Sequence, residues 1–95
     1  MTLPGGYSDT KPVTQEVRTI AIQAKAATQT KLGRNYETFE AITYRSQIVN
    51  GTNYLIKVKT NNGYIHIKVY KPFNGNTEFK AVQEGQTLGS EINTF

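Results

Sequence analysis

The run "YRSQIVNGTNYLIKVKTNNGYIHIKVYKPFNG", Tyr44 to Gly75, contains Asn-Gly three times, at 50–51, 62–63 and 74–75. Asn-Gly flanked by alternating apolar residues is a strong short-range signal for a two-residue β-hairpin turn. The even spacing marks successive turns of an antiparallel meander. Between the first two turns Tyr54, Ile56 and Val58 alternate with Leu55, Lys57 and Lys59. Between the second and third, Ile65, Ile67 and Val69 alternate with His66, Lys68 and Tyr70. Side chains on a strand point to opposite faces in turn, so each set predicts one buried and one wet face.

Outward from this run, a strand before the first turn and another near Phe79 to Val82 complete the sheet. On the N-terminal side, Thr14 to Leu32 has the pattern of a single helix. Thr14 suits the N-cap, Glu16 places negative charge in the first turn, and Gly33 suits the stop. Val13, Val17, Ile20, Ala24, Ala27 and Lys31 or Leu32 recur at three- and four-residue steps, a stripe rich in small alanines that can lie close against a sheet. Residues 1–12, "MTLPGGYSDTKP", hold two of the chain's prolines and two adjacent glycines, which reads as an extended, mobile arm. The expectation is an α+β fold: one domain over residues 1–95, an antiparallel sheet of four to five strands wrapped around one long helix.

Composition narrows the function. The 95 residues include no cysteine, which excludes disulfides, thiolate metal sites and a cysteine nucleophile. His66 is the one histidine, expected mid-strand on the wet face, and the seven acidic residues are spread along the chain. No metal cluster, convergent catalytic set or phosphate-binding glycine loop follows from that pattern, so the chain is not expected to be an enzyme and no cofactor is expected. No apolar run reaches the length of a signal peptide or a membrane span, so a cytoplasmic protein with no membrane partner is the simplest expectation. Glycosylation at Asn50-Gly51-Thr52 would block the hairpin tip, a problem that a cytoplasmic chain does not meet. The net charge of +4 is scattered over alternating strand positions. This favours a solvated sheet face over the alternative, a basic nucleic-acid-binding sheet that uses lysines and tyrosines.

The turns themselves pose a question. In a meander, alternate turns fall at the same end of the sheet, so Asn50-Gly51 and Asn74-Gly75 share one end and Asn62-Gly63 occupies the other. The first turn is preceded by Ile48 and Val49 and the third by Pro72 and Phe73, whereas the middle turn, "TNNG", has no apolar residue. Apolar groups gathered at one exposed edge point to an interaction site.

"LPGG" in the arm, "QIVNG" at the first hairpin and "KPFNG" at the third together resemble the cystatin superfamily, and the stefins, or type 1 cystatins, in particular. Gln47, Val49 and Gly51 fill that family's Gln-x-Val-x-Gly hairpin signature. "GTNYLIKV", "HIKVYK", the lone helix after "KP" and Phe95 extend the resemblance over essentially the whole chain. It implies a tight, reversible inhibitor of papain-like cysteine proteases such as cathepsins, a binding module with no catalytic residue. From the residues themselves no metal and no nucleic-acid partner are expected, and a monomer is the default. A cystatin-shaped scaffold without inhibitory activity is the remaining alternative.

The resemblance also implies a site. Leu3 and Pro4 would lie extended in the unprimed subsites, and Gly5 and Gly6 would turn the chain away from the catalytic thiolate; by composition alone those glycines read as a flexible linker. Ile48 and Val49 would bury apolar area, roughly 1.5–3 kcal/mol for each side chain fully desolvated. Asn50 and Gly51 form the turn, where glycine permits positive φ and close approach of a partner. Gln47 either holds the base of the turn by hydrogen bonds or faces water. The second hairpin departs from the family pattern, which has Leu-Pro at its tip: here Pro72, Phe73 and Asn74 stand there, so an apolar anchor is kept but the rigid ring has moved.

Overall fold

The computed structural model describes residues 6–95. The chain order is β1 (Lys11–Pro12), α1 (Gln15–Leu32), β2 (Phe39–Val49), β3 (Gly51–Thr60), β4 (Gly63–Lys71) and β5 (Glu78–Gln86). All five strands form one antiparallel sheet in the order β1-β2-β3-β4-β5, with α1 packed across it. The fold is α+β, as the alternation in the sequence implies.

The helix begins and ends for the reasons legible in the sequence. Thr14 is extended and its hydroxyl accepts from the Val17 amide at 3.2 Å, satisfying a donor left open at the helix start. Gly33 ends the helix in the left-handed region, φ 65°, and its amide donates to the Gln29 carbonyl. The buried stripe is Val17, Ile20, Ala21, Ala24 and Thr28, with Val13 and Leu32 packed at its margins. Ala27 is exposed, contrary to the sequence pattern, and Thr28 replaces it. The Thr28 hydroxyl donates to the Ala24 carbonyl at 2.8 Å, so a polar side chain is buried at no cost in unmade hydrogen bonds.

Against this stripe pack Tyr54, Ile56 and Val58 of β3 and Ile65, Ile67 and Val69 of β4, all buried, together with Tyr36 and Ala41. Core alternation therefore matches expectation. The opposite face does not. Leu55 and His66 are fully buried and Lys57 is 3% exposed, where the sequence predicts a wet face. The segment after β5 crosses this face and is held there by cations. Lys57 Nζ donates to the carbonyls of Leu88 and Ser90 at 2.7 and 2.5 Å, Arg45 to Ile92 at 2.6 Å, and Lys68 to Phe95 at 2.8 Å. Ile92, within this segment, is buried. Lysine stems lie along apolar surface and their ammonium groups bind main-chain oxygens instead of water. Burial holds the Lys57 ammonium below its ordinary pKa. His66 is held down to about 4, first by desolvation and then by the nearby Lys57 charge, and neither ring nitrogen has a hydrogen-bond partner. The expected exposed histidine is a buried, neutral one.

Turn geometry differs from three identical Asn-Gly hairpins. At the first, Val49 pairs with Gly51, leaving Asn50 alone at the apex. At the second, Thr60 pairs with Gly63, so Asn61 and Asn62 form the loop. In both, the glycine opens the following strand at φ near 110°, 109° and 111°, a conformation closed to most side chains. The third Asn-Gly lies within a wider loop over residues 72–77, and Gly75 has no positive φ.

The N-terminal segment is anchored over part of its length. Lys11 and Pro12 pair with Tyr44 and Thr43 as an edge strand, where the missing proline amide faces no partner. The Val13 amide donates to Ile42, and the Ser8 amide to Ser46 at 2.7 Å.

Candidate functional site

Register places the parts of the site. Thr52 of β3 pairs with Lys71 of β4, so the apex of the β2–β3 hairpin and the start of the loop over 72–77 stand at the same end of the sheet. The segment through Ser8 is antiparallel to β2, with its N-terminal end toward the same end of the sheet, since Lys11 is opposite Tyr44 and Ser8 bonds Ser46. Gly6, the first residue described, is exposed. Leu3, Pro4 and Gly5, expected in the site, lie outside the described residues.

The first hairpin is braced from below. Gln47 and Asn53 are paired across the strands, and the Asn53 amide donates to Gln47 Oε1 at 2.9 Å. Of the two readings of Gln47 the structure thus has the holding one. Above them Ile48 is 75% exposed and Val49 41%. Asn50 is exposed, and its carbonyl accepts from the Tyr70 hydroxyl on β4.

Gly51 is buried, and its close neighbours belong to this same chain. A Cβ built on it would stand 2.6 Å from the Tyr70 hydroxyl and 2.8 Å from the Lys71 carbonyl. Close approach at Gly51 is therefore an internal matter: Tyr70 crosses beneath the apex and props it. A side chain at Gly51 would push the apex off this prop. Sequence reasoning assigned Tyr70 to a wet face and missed this; the signal was the twelve-residue turn spacing, which sets the end of β4 beside the first apex.

In the second loop Pro72 folds over Gly75, whose added Cβ would meet the proline ring at 2.9 Å. Phe73 projects, 71% exposed, and Asn74 is exposed beside it. The loop base is tied to the helix by Thr77 Oγ1 to Gln23 Oε1 at 3.1 Å and by an exposed ion pair, Lys71 to Glu16 at 3.3 Å. Pro72 thus shapes the loop and Phe73 stands out from it.

Ile48, Val49 and Phe73 are three of the five large hydrophobic side chains most exposed among the described residues, the others being Ile22 and Leu88. No titratable side chain belongs to the two apices at 48–50 and 72–74. Such an edge offers apolar contact and main-chain hydrogen bonds, and no acid–base chemistry. Among the described residues no group of three His, Asp or Glu side chains converges as a metal ligand set.

A paired arm, a propped hairpin and a second apolar loop at one end of a helix-wrapped sheet describe a cystatin domain. Residues 5–89 match the family model for that domain, and the chain belongs to the cystatin family. Among individual relatives, Cystatin-A2 of Dictyostelium discoideum is 42% identical over the full length of both chains. Cystatin-A1 of Sus scrofa is 40% identical over 98% of this chain and 94% of its own. Another Sus scrofa protein, named leukocyte cysteine proteinase inhibitor 1, is 47% identical over 73% of this chain and 68% of its own. These relatives are of the stefin type that the arm and hairpin motifs resemble.

Proposed function

We propose that this protein is a tight, reversible inhibitor of papain-like cysteine proteases that fills the active-site cleft with its N-terminal arm and two loops. One observation carries the reading: Ile48, Val49 and Phe73 are exposed together at one end of a sheet whose other strand valines and isoleucines are buried or half-buried. Folding alone gives no reason to leave them in water. Family membership and the name of the porcine relative, a cysteine proteinase inhibitor, support the partner class.

In this reading Ile48 and Val49 enter the cleft on either side of its narrowest part. Asn50 and Gly51 are propped by Tyr70, so little ordering of the apex is left to do on binding. Phe73 is the anchor of the second wedge, as aromatic side chains often carry a large share of an interface. Leu3 and Pro4 lie along the unprimed subsites, and Gly5 and Gly6 carry the chain past the thiolate with no peptide bond in attack geometry. The protein acts in the cytoplasm, as a monomer. Binding is competitive with substrate and leaves the inhibitor intact.

The arrangement of two lysines favours the inhibitor over a nucleic-acid-binding sheet. Of the lysines that would form its footprint, Lys57 and Lys68 are spent on the carbonyls of the C-terminal segment. No helix is long and apolar enough to cross a membrane among the described residues.

Titration of papain and of a cathepsin L-like enzyme with the full chain tests the proposal. The expected result is stoichiometric, reversible loss of activity with the chain recovered uncut. Absence of inhibition, or rapid cleavage at Gly5-Gly6, would refute it.

A further inference from the structure

Two residues before the hairpin signature stands Arg45, a side chain to which neither the family match nor the site above gives a part. It lies on the sheet face covered by the C-terminal segment, paired with buried Leu55. Its guanidinium is partly buried and appears in none of the ion pairs among the described residues. Instead it holds two separate stretches of backbone. Nε donates to the Ser8 carbonyl at 2.8 Å and Nη1 to the Ile92 carbonyl at 2.6 Å. The same group lies 5.9 Å from the centre of the Tyr7 ring, within range of a cation–π contact.

We propose that Arg45 is a positioning residue for the inhibitory arm, clamping the arm's root at Tyr7 and Ser8 to the buried C-terminal segment at Ile92. This rests on the arm being used for inhibition, as proposed above. The geometry has three parts. Ser8 is where the arm joins β2: its amide bonds Ser46 at 2.7 Å, and the Ser46 amide bonds the Ser8 hydroxyl at 3.1 Å. Without Arg45 the Ser8 carbonyl loses its charged donor and Tyr7 its cation, and among the described residues Ser8 keeps only its two hydrogen bonds to Ser46 across to β2. A guanidinium is planar with donors fixed in a fork, so holding Ile92 on one side fixes the direction offered to Ser8 on the other. A lysine is a point charge and transmits no such direction. Ile92 is 3% exposed, a firm seat for the far side of the clamp. The arm therefore leaves the sheet along a course set by the C-terminal segment, and part of its ordering cost is met before a protease arrives.

The test begins in the free protein. Amide hydrogen exchange at Ser8 is expected to quicken in Arg45→Met, with a smaller change in Arg45→Lys, while exchange in the middle of β3 and β4 stays as it was. Ile92→Ala should quicken Ser8 exchange when Arg45 is present and add little in the Arg45→Met background, because the two act through one clamp. Dissociation constants for papain give the second readout. Arg45→Met should weaken binding about five- to tenfold in the full chain, mainly through faster dissociation, and less than about twofold in a chain lacking residues 1–5. Unchanged Ser8 exchange in Arg45→Met would overturn the clamp whatever papain does. Equal losses of affinity with and without the arm would also overturn it, since Arg45 would then act through the fold at large. Should Arg45→Met fail to fold, Arg45→Lys is read by the same two measurements and the same two outcomes decide. If the unmodified chain does not bind papain, the inhibitor reading fails, and Ser8 exchange still decides whether Arg45 holds the arm's root.

Discussion

The two ends of this sheet are built from the same strands and end differently. At one end Asn61 and Asn62 form a polar turn that is tied down: the Asn62 amide donates to the Thr60 hydroxyl, which donates to the Gly63 carbonyl, and Asn61 accepts from the Glu37 amide. At the other end the turns at Asn50 and at residues 72–77 leave Ile48, Val49 and Phe73 in solvent. At both ends the tight turn begins the next strand on a glycine. A hairpin therefore needs no apolar tip. The proposed binding role gives a reason for the difference between the ends.

The largest effect is expected where the contrast is between tip and core. Val58 has no exposed surface and packs against the helix. Val58→Asp should cost about 5 kcal/mol or more and unfold the domain, because a carboxylate there has no partner. Circular dichroism reads this directly. A folded Val58→Asp would break the division of valines into core and tip.

Acid should act on the middle of the molecule and spare the tips, which carry no titratable group. His66 has its folded pKa depressed from 6.5 to about 4, so the unfolded chain binds the proton first as pH falls. Stability is therefore full above pH 6.5 and declines through the window from 6.5 to about 4, by about 3 kcal/mol across it. Denaturant midpoints at pH 7 and pH 4.5 measure it. His66→Phe should flatten the dependence in this window; an unchanged slope in that variant would remove His66 as its source.

Loss of a tip anchor is a smaller effect confined to binding. Phe73→Ala should weaken affinity for papain by about 1–3 kcal/mol with the melting temperature unchanged. A protease whose primed side is obstructed should show a larger loss than papain, because this loop must reopen it. Lowered stability with full inhibition would show that Phe73 serves the fold.

Much of this architecture was readable because local chemistry decides it. The Thr14 cap, the Gly33 stop and the alternation around Ile56 and Ile67 depend on neighbours in sequence. What escaped depends on backbone groups distant in sequence. Lys57 and His66 read as solvated because a lysine and a histidine alternating with isoleucine usually are; the Lys57 ammonium is instead taken up by the carbonyls of Leu88 and Ser90, and a carbonyl leaves no mark in the sequence. The stretch "TLGSEINTF" has no period to announce it. Lys11-Pro12 is too short a strand to show alternation, and Pro12 reads as a breaker until an edge position makes it acceptable. The third Asn-Gly shows the limit of the dipeptide rule, since Pro72 packing on Gly75 selects a wider loop from the same letters. At the site, the tips were legible from misplaced apolar residues, while Tyr70 and Asn53, which brace the first of them, and Arg45, which holds the segment at Tyr7 and Ser8, took their meaning from register.

One paired measurement tests the central claim most directly: the dissociation constants for papain of Val49→Asp and Asn62→Asp, each first shown folded. Both place a carboxylate on an exposed turn of the same sheet, one at each end. The account predicts a loss of at least about 100-fold for Val49→Asp, because its charge must be desolvated in the cleft, and less than about threefold for Asn62→Asp. Equal effects at the two ends, or a Val49→Asp protein that binds as tightly as the unmodified chain, would contradict it.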